Sequence, residues 1–396
     1  MNPRNWLVLG TLPIILGVTT PYWSSTRKWS TPATAVNPQD PTTTKKIDIN
    51  RDELAGLTDI QDILELIDDR YVNSPNIELA INGGIQSALE KLHPFNSWLS
   101  ISDLKEEDSG DASTGMTLVK RGIYATVLSV VPQGPADRAG IRPGEVIRRL
   151  NNQTLNNMSA WKMQRLMKGT NGTQLEVQRF PQDAVKAEKT ILKLEVIPNN
   201  PISLQTSPRG TLISLPDLKI GRDKEFENIL ARLKSSQTLI LDLRNNSEGS
   251  IEVARNIADL LCSQGTFAIV RPNNKPELNL VINSSGTRGS MKLIVLQDAS
   301  TSGVAELLAS ALKRLGKAKI LGSRTAGLGV ALARVPLSQG GALELVSERW
   351  TGAGLEKLDQ TGVNVDQPIK DFGSRERLLD FILDNLEASA RGIKGS

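Results

Sequence analysis

The chain has 396 residues, of which 39% are hydrophobic and 23% charged, with a formal net charge of +4. That length asks for two or three domains, and so small a charge, with no basic stripe interleaved with aromatics, gives no case for nucleic-acid binding. A single cysteine, Cys262, excludes an intrachain disulfide, a single histidine, His93, argues against a histidine-based metal site, and no metal or cofactor is expected from the ligand spacings.

Residues 1–23 carry Arg4 and then an apolar run over 6–18, interrupted by Pro13; this reads as a signal sequence or a membrane anchor. Residues 24–46, rich in Ser, Thr and Pro, read as a flexible tether. Leu57, Ile60, Ile63, Leu64 and Ile67 recur at helical spacing, and a second helical pattern ends near Pro94, so 47–108 form an N-terminal helical segment. From Thr114 the texture changes. "GMTLV", "IYATVLSVV" and "TQLEVQRF" are short strands around one helix, "MSAWKMQRLMKG", and define a small α+β domain over 109–198. Across 199–372 the apolar runs "TLISLP", "TLILDLR", "FAIVR" and "LIVLQ" alternate with helical patterns. This predicts a parallel sheet covered on both faces, and hence a multidomain α/β protein. Ligands of such sheets gather at loops following strand C-termini, here "DLRNNSEGS" and "DASTSG". Residues 373–396 close the chain with an amphipathic helix. Cys262 sits on an apolar helical pattern with no histidine near it in sequence, which reads as an inert buried thiol.

Several of these pieces, in order, resemble the carboxyl-terminal processing (tail-specific) proteases. "YVNSPNIELAINGGIQSALEKLHPFNSWLS" is similar to that family's N-terminal helical signature, with His93 where an aspartate is usual. "TGMTL…VVPQGPADRAGIRPGEVI" resembles its PDZ domain, "LILDLRNNSEGS" its Asp-Leu-Arg-Asn-Asn-Pro-Gly-Gly loop, and "GVNVDQPI" its closing Gly-Ile-x-Pro-Asp. The likeness runs over about 50–370 and implies a PDZ domain at 109–198 followed by a tail-specific-protease core at 199–372.

The resemblance implies a serine–lysine dyad helped by a glutamine, in which a neutral lysine takes the proton of a poorly nucleophilic hydroxyl. This chain departs from that pattern. The serine position, three residues before Glu306, is Gly303; the lysine position in "TAGLG" is Leu328; the glutamine position is Leu332. The loop equivalent to the oxyanion region has become Ser247, Glu248 and Gly249. Glu248 either sets a carboxylate beside the developing negative charge or points into solvent. The expectation is a degenerate, non-cutting member. The alternative is an active serine-type endopeptidase with Ser302 as a displaced nucleophile. Ser300, Thr301 and Ser302 otherwise read as helix-entry and turn hydrogen-bonders.

A PDZ domain adds a peptide C-terminus as a strand to a sheet edge. The resemblance places the carboxylate loop and pairing strand at Gly115, Met116, Thr117 and Leu118, with Thr117 where a second glycine is usual. Trp161 and Met163 on the facing helix are candidates for the groove or for the core. The implied partners are polypeptide C-termini or a protein, including an active family member. The implied compartment is the periplasm or the thylakoid lumen, with the membrane reached through residues 1–23.

Overall fold

The computed structural model describes residues 51–390, apart from 106–109, 157, 182–183, 185, 199–200, 234–237, 284–291 and 370–376. The expected leader and tether lie outside the described residues. Two helices come first, Arg51–Arg70 and Ile77–Leu92. Asn76 starts the second by accepting from Leu79 N at 2.8 Å, the usual N-cap bond. His93 N closes it on Leu89 O. Gln86 then pins the outgoing chain: its Oε1 accepts from Trp98 N at 3.1 Å, and its Nε2 donates to Asn96 O at 3.3 Å. The short strand that follows, Ser97–Leu99, pairs antiparallel with Ala342–Gly352 of the core. The helical segment therefore also supplies an edge strand.

The PDZ sheet has the order Met116–Arg121, Tyr124–Val130, Val146–Leu150, Gln174–Phe180, Glu188–Lys193, all antiparallel. The strand Met116–Arg121 lies at its edge. Alternate residues of Gln174–Phe180 are buried, as the half-covered strand pattern requires. Leu118, Ile147, Leu150, Met163, Leu175 and Val177 fill the core beneath the helix Ala160–Leu166, which Ser159 caps through Lys162 N at 3.1 Å. A clasp closes the domain's two ends: Ala112–Ser113 pairs with both Lys168–Gly169 and Glu195–Val196.

In the core, Gly210–Ser214, Thr238–Asp242, Leu293–Gln297, Lys319–Gly322 and Gln367–Pro368 run parallel, with Ser203–Ser207 antiparallel at one edge. Every residue of Leu293–Gln297 is buried, because both faces are covered. The helices Arg222–Leu230, Ile251–Leu261 and Val304–Arg314 pack on one face. The helix Leu378–Ala390 covers Leu212, Ile240, Ile294, Leu296 and Leu321 on the other.

One expected member is elsewhere. "FAIVR" lies in Gly265–Pro272, which joins a separate antiparallel sheet between Leu278–Ile282 and Ala342–Gly352. A short apolar run looks the same in either kind of sheet; only its pairing partners, a hairpin and a distant strand, distinguish the two. Phe226, fully buried, anchors the helix Arg222–Leu230 to the main core. Phe226→Ala should lower stability by about 3–5 kcal/mol, read as a reduced urea midpoint with an unchanged slope.

Candidate active site and peptide cleft

Three loops leave the C-terminal edge of the parallel sheet, after Thr238–Asp242, Leu293–Gln297 and Lys319–Gly322. The second is the turn at 298–303. Asp298 Oδ1 accepts from Ser300 N at 2.9 Å, Thr301 N at 3.0 Å and Asn245 N at 3.3 Å. Burial pushes its carboxyl up, against the pull of those donors. Thr301 Oγ1 donates to Leu243 O at 2.9 Å, and Ser302 N to Asn246 O at 2.9 Å, so the turn is stitched to the first loop. The Ser300 hydroxyl donates to the Leu128 carbonyl of the PDZ domain. Ser302 is buried, and its Oγ makes no hydrogen bond among the described residues.

Gly303 opens the helix Val304–Arg314 at φ 63°, ψ −123°. A side chain in that region of backbone space costs about 1–3 kcal/mol, and it is the kind of strained strand-to-helix turn on which hydrolases expose a nucleophile. Glycine occupies it without that cost.

Glu306, one helical turn on, is fully buried. Its Oε2 accepts from Gly303 N at 2.9 Å and Leu328 N at 2.7 Å. Its Oε1 accepts from Gly327 N at 2.8 Å and the Thr325 hydroxyl at 2.5 Å. Thr325 Oγ1 in turn accepts from Val363 N at 2.7 Å. Burial pushes the Glu306 carboxyl up to about 7, with the hydroxyl and the three N–H groups acting in the opposite sense. The structure thus brings Gly303 and Leu328 together on one carboxylate. Nothing in the sequence reading gave Glu306 or Thr325 this part; the available signal was an acidic residue three positions into a helix.

Leu328 is 4% exposed and packs with Val119 and Leu128 of the PDZ domain, and with Phe95 and Ala326. The glycines either side of it are fixed by close approach: a Cβ on Gly327 would lie 2.8 Å from Thr361 N, and one on Gly329 2.5 Å from Leu358 Cβ. Leu332 stands apart on the outgoing strand Val330–Pro336, half-buried opposite Val346. Cys262 is buried with its thiol pushed up to about 12 by burial and by Asp259, a poor nucleophile.

In the first loop, Leu218 N donates to Glu248 O at 2.8 Å and Ser250 N to Leu218 O at 2.9 Å. Gly249 lies so close to Leu218 that a Cβ would meet it at 2.4 Å. Glu248 itself keeps a negative φ, so it fits the loop without backbone strain. Its carboxylate pairs with Lys219 Nζ at 2.9 Å rather than extending freely into water.

A cavity of about 540 Å³ separates this loop from the PDZ domain. Gly115, Met116 and Thr117 line the PDZ side with Gln164, Met167 and Lys168; Pro216, Lys219, Asn245, Ser247 and Glu248 line the core side. Gly115 sits at φ 72°, where a side chain would be strained, and its Cβ position is 2.8 Å from Ile197 Cδ1. Of the groove and core alternatives for Trp161 and Met163 the structure shows buried positions, and the side chain of Leu118, in the edge strand, is buried as well. Leu118 and Met163 are in the PDZ core, each 1% exposed, and the Leu118 carbonyl accepts from Gln164 Nε2 at 2.7 Å. Trp161 packs with Leu99, Leu104 and Ala342, against the core's edge strand.

A model of peptidase family S41 matches residues 210–369, and a PDZ-domain model matches 126–178. Among curated proteins, a probable CtpA-like serine protease of Staphylococcus saprophyticus is 21% identical over 334 residues, covering 82% of this chain and 67% of that protein. Another, of Staphylococcus aureus strain MRSA252, is 24% identical over 337 residues, covering 81% and 66%. The chain spans about two thirds of the length of these relatives. Among solved structures, a photosystem II D1 C-terminal processing protease superposes with a TM-score of 0.63 at 21% identity, covering 78% of this chain and 92% of that one. Fold and motif order together define the class, a PDZ domain joined to an S41-type peptidase core. Residues 210–369 match peptidase family S41, and with the PDZ match and the CtpA-like relatives they support a member of the carboxyl-terminal processing protease family.

The Glu306 carboxyl has a pH consequence. Its value is raised on folding from 4.5 to about 7, so its stabilising contribution is complete below pH 4.5 and is lost as pH rises through about 7. Urea midpoints of the wild type should fall across that window relative to Glu306→Gln, which has no proton to lose. Parallel profiles would mean that Glu306 does not titrate there.

Proposed function

We propose that the chain is a pseudoprotease. It keeps the family scaffold, binds polypeptide C-termini or a protein partner through its PDZ domain, and does not cut them. The observation that carries this reading is the pair Gly303 and Leu328, held on Glu306 at the positions matching the family's serine and lysine. Glycine offers no nucleophilic atom and leucine no base, and acyl transfer by this route needs both. Leu328 also packs against Val119 and Leu128, so the volume a lysine would need is filled with apolar atoms. Glu248 places a carboxylate at the loop equivalent to the oxyanion region, where it disfavours further negative charge. The displaced-nucleophile alternative needs a base for Ser302, and its Oγ meets none among the described residues.

The partner in this reading is a polypeptide tail, or an active family member that this chain positions. Substitutions in the loop at 115–117 should abolish the first and spare the second. The family and the leader-like residues 1–23 support export to the periplasm or the thylakoid lumen, with attachment to the membrane.

The test is digestion. The wild type, Ser302→Ala and Gly303→Ser should all leave unstructured polypeptides uncut, as read by mass spectrometry of the products. Gly303→Ser returns a hydroxyl without a base. Cleavage by the wild type that disappears in Ser302→Ala would overturn the reading.

A further inference from the structure

The charges lining the interdomain cavity are nearly all matched. Asp242 holds Arg244 through two bonds of 2.8 Å. Asp217 holds Arg222 at 2.9 and 3.0 Å. Glu248 holds Lys219 at 2.9 Å. Asp111 is exposed at the margin. Lys168 is the exception: it is half-buried, and its ammonium makes no ion pair or hydrogen bond among the described residues. Burial lowers its pKa; Glu248 acts against that and Lys219 adds to it. An ammonium partly withdrawn from water and held in no ion pair or hydrogen bond is costly, with only the distant charge of Glu248 to offset it, and a carboxylate is its natural complement.

Its place in the fold says which carboxylate. Lys168 pairs with Ser113, and Met167 O accepts from Thr114 N at 3.0 Å, so the lysine stands against the start of the loop at 115–117. The backbone donors of that loop are partly engaged: Gly115 N and Met116 N each make 3.3 Å bonds to the hydroxyls of Ser113 and Thr114. Asn245 lines the core side of the cavity, and its Oδ1 has no hydrogen-bond partner among the described residues.

We propose that Lys168 binds the terminal carboxylate of a polypeptide tail lying in this cavity, and that Glu248 weakens that binding by engaging Lys219 on the opposite wall. The proposal rests on the tail-binding reading and specifies its chemistry. The carboxylate reaches a charged side chain as well as the backbone loop. Glu248 repels it and withholds the second lysine, so tail affinity is set by competition between an internal and an external carboxylate.

The test uses the full chain, its Lys168→Gln, Lys168→Arg and Glu248→Gln variants, and a pool of short peptides with randomised last residues, made as free acids and as C-terminal amides. The wild type should retain acids over amides by about tenfold, as a charge-assisted contact gives, and less so at high salt. Lys168→Gln should reduce acids to the level of amides with amide retention unchanged, which also reports an intact fold. Lys168→Arg should restore the preference, and Glu248→Gln should increase it several-fold. Equal retention of acids and amides by the wild type, or a preference that survives Lys168→Gln, overturns the role of Lys168 and leaves tail binding standing. An unchanged preference in Glu248→Gln overturns the competition. Retention of neither pool overturns tail binding as well.

Discussion

The geometry of the S41 centre depends on one buried carboxylate. Removing Glu306 from water costs several kcal/mol, and four donors offset that cost: three backbone N–H groups and one hydroxyl. Those donors come from two separate loops, the turn ending at Gly303 and the loop at 325–328. Glu306 therefore sets the distance between two strand ends that the sheet alone would leave free. Thr325 extends the tie to Val363, beside the last strand of the sheet. The constraint acts on backbone atoms. It is therefore indifferent to which side chains occupy the two positions it aligns.

On this framework the PDZ domain is seated through a few buried contacts. Lys120, 4% exposed, donates to Glu90 at 2.5 Å and to the carbonyls of Asn156 and Met158 at 3.0 and 2.7 Å. Breaking such a satisfied buried pair costs about 3–5 kcal/mol. Exposed pairs such as Arg138–Glu195 contribute about 0–1 kcal/mol. Lys120 thus links the domain firmly to the helix Ile77–Leu92, while Leu328 and the Ser300 hydroxyl meet Val119 and Leu128 on the core side. One flank of the domain closes over the S41 centre, and the other borders the cavity.

Much of this organisation was legible in the sequence, for identifiable reasons. Continuous apolar runs such as Leu293–Gln297 announce strands covered on both faces, and alternation in Gln174–Phe180 announces a half-covered one. Pairing partners were not legible. The strand Gly265–Pro272 and the three residues of Ser97–Leu99 join a second sheet whose members are far apart in the chain. Side-chain direction was also out of reach. Periodicity left Trp161 and Met163 between groove and core, and tertiary contacts place both away from the cavity. Lys168 and Asn245 gave no signal, because what distinguishes them is that the Lys168 ammonium and the Asn245 Oδ1 make no hydrogen bond or ion pair among the described residues, beside a cavity that exists only once both domains are in place.

The clasp at the base of the PDZ domain has a mechanical consequence. Ser97–Leu99, before the domain, and Gly210–Ser214, after it, both belong to core sheets, so the domain is an insertion into the peptidase unit rather than a bead on a linker. Ala112–Ser113 and Glu195–Val196 bring its two ends side by side. A domain held at two adjacent strands, and by Lys120 at its flank, cannot drift away or rotate freely. Lys168 stands in this clasp, in the strand Lys168–Gly169. The clasp therefore fixes where the PDZ-side wall of the cavity stands relative to the chain ends that enter and leave the domain.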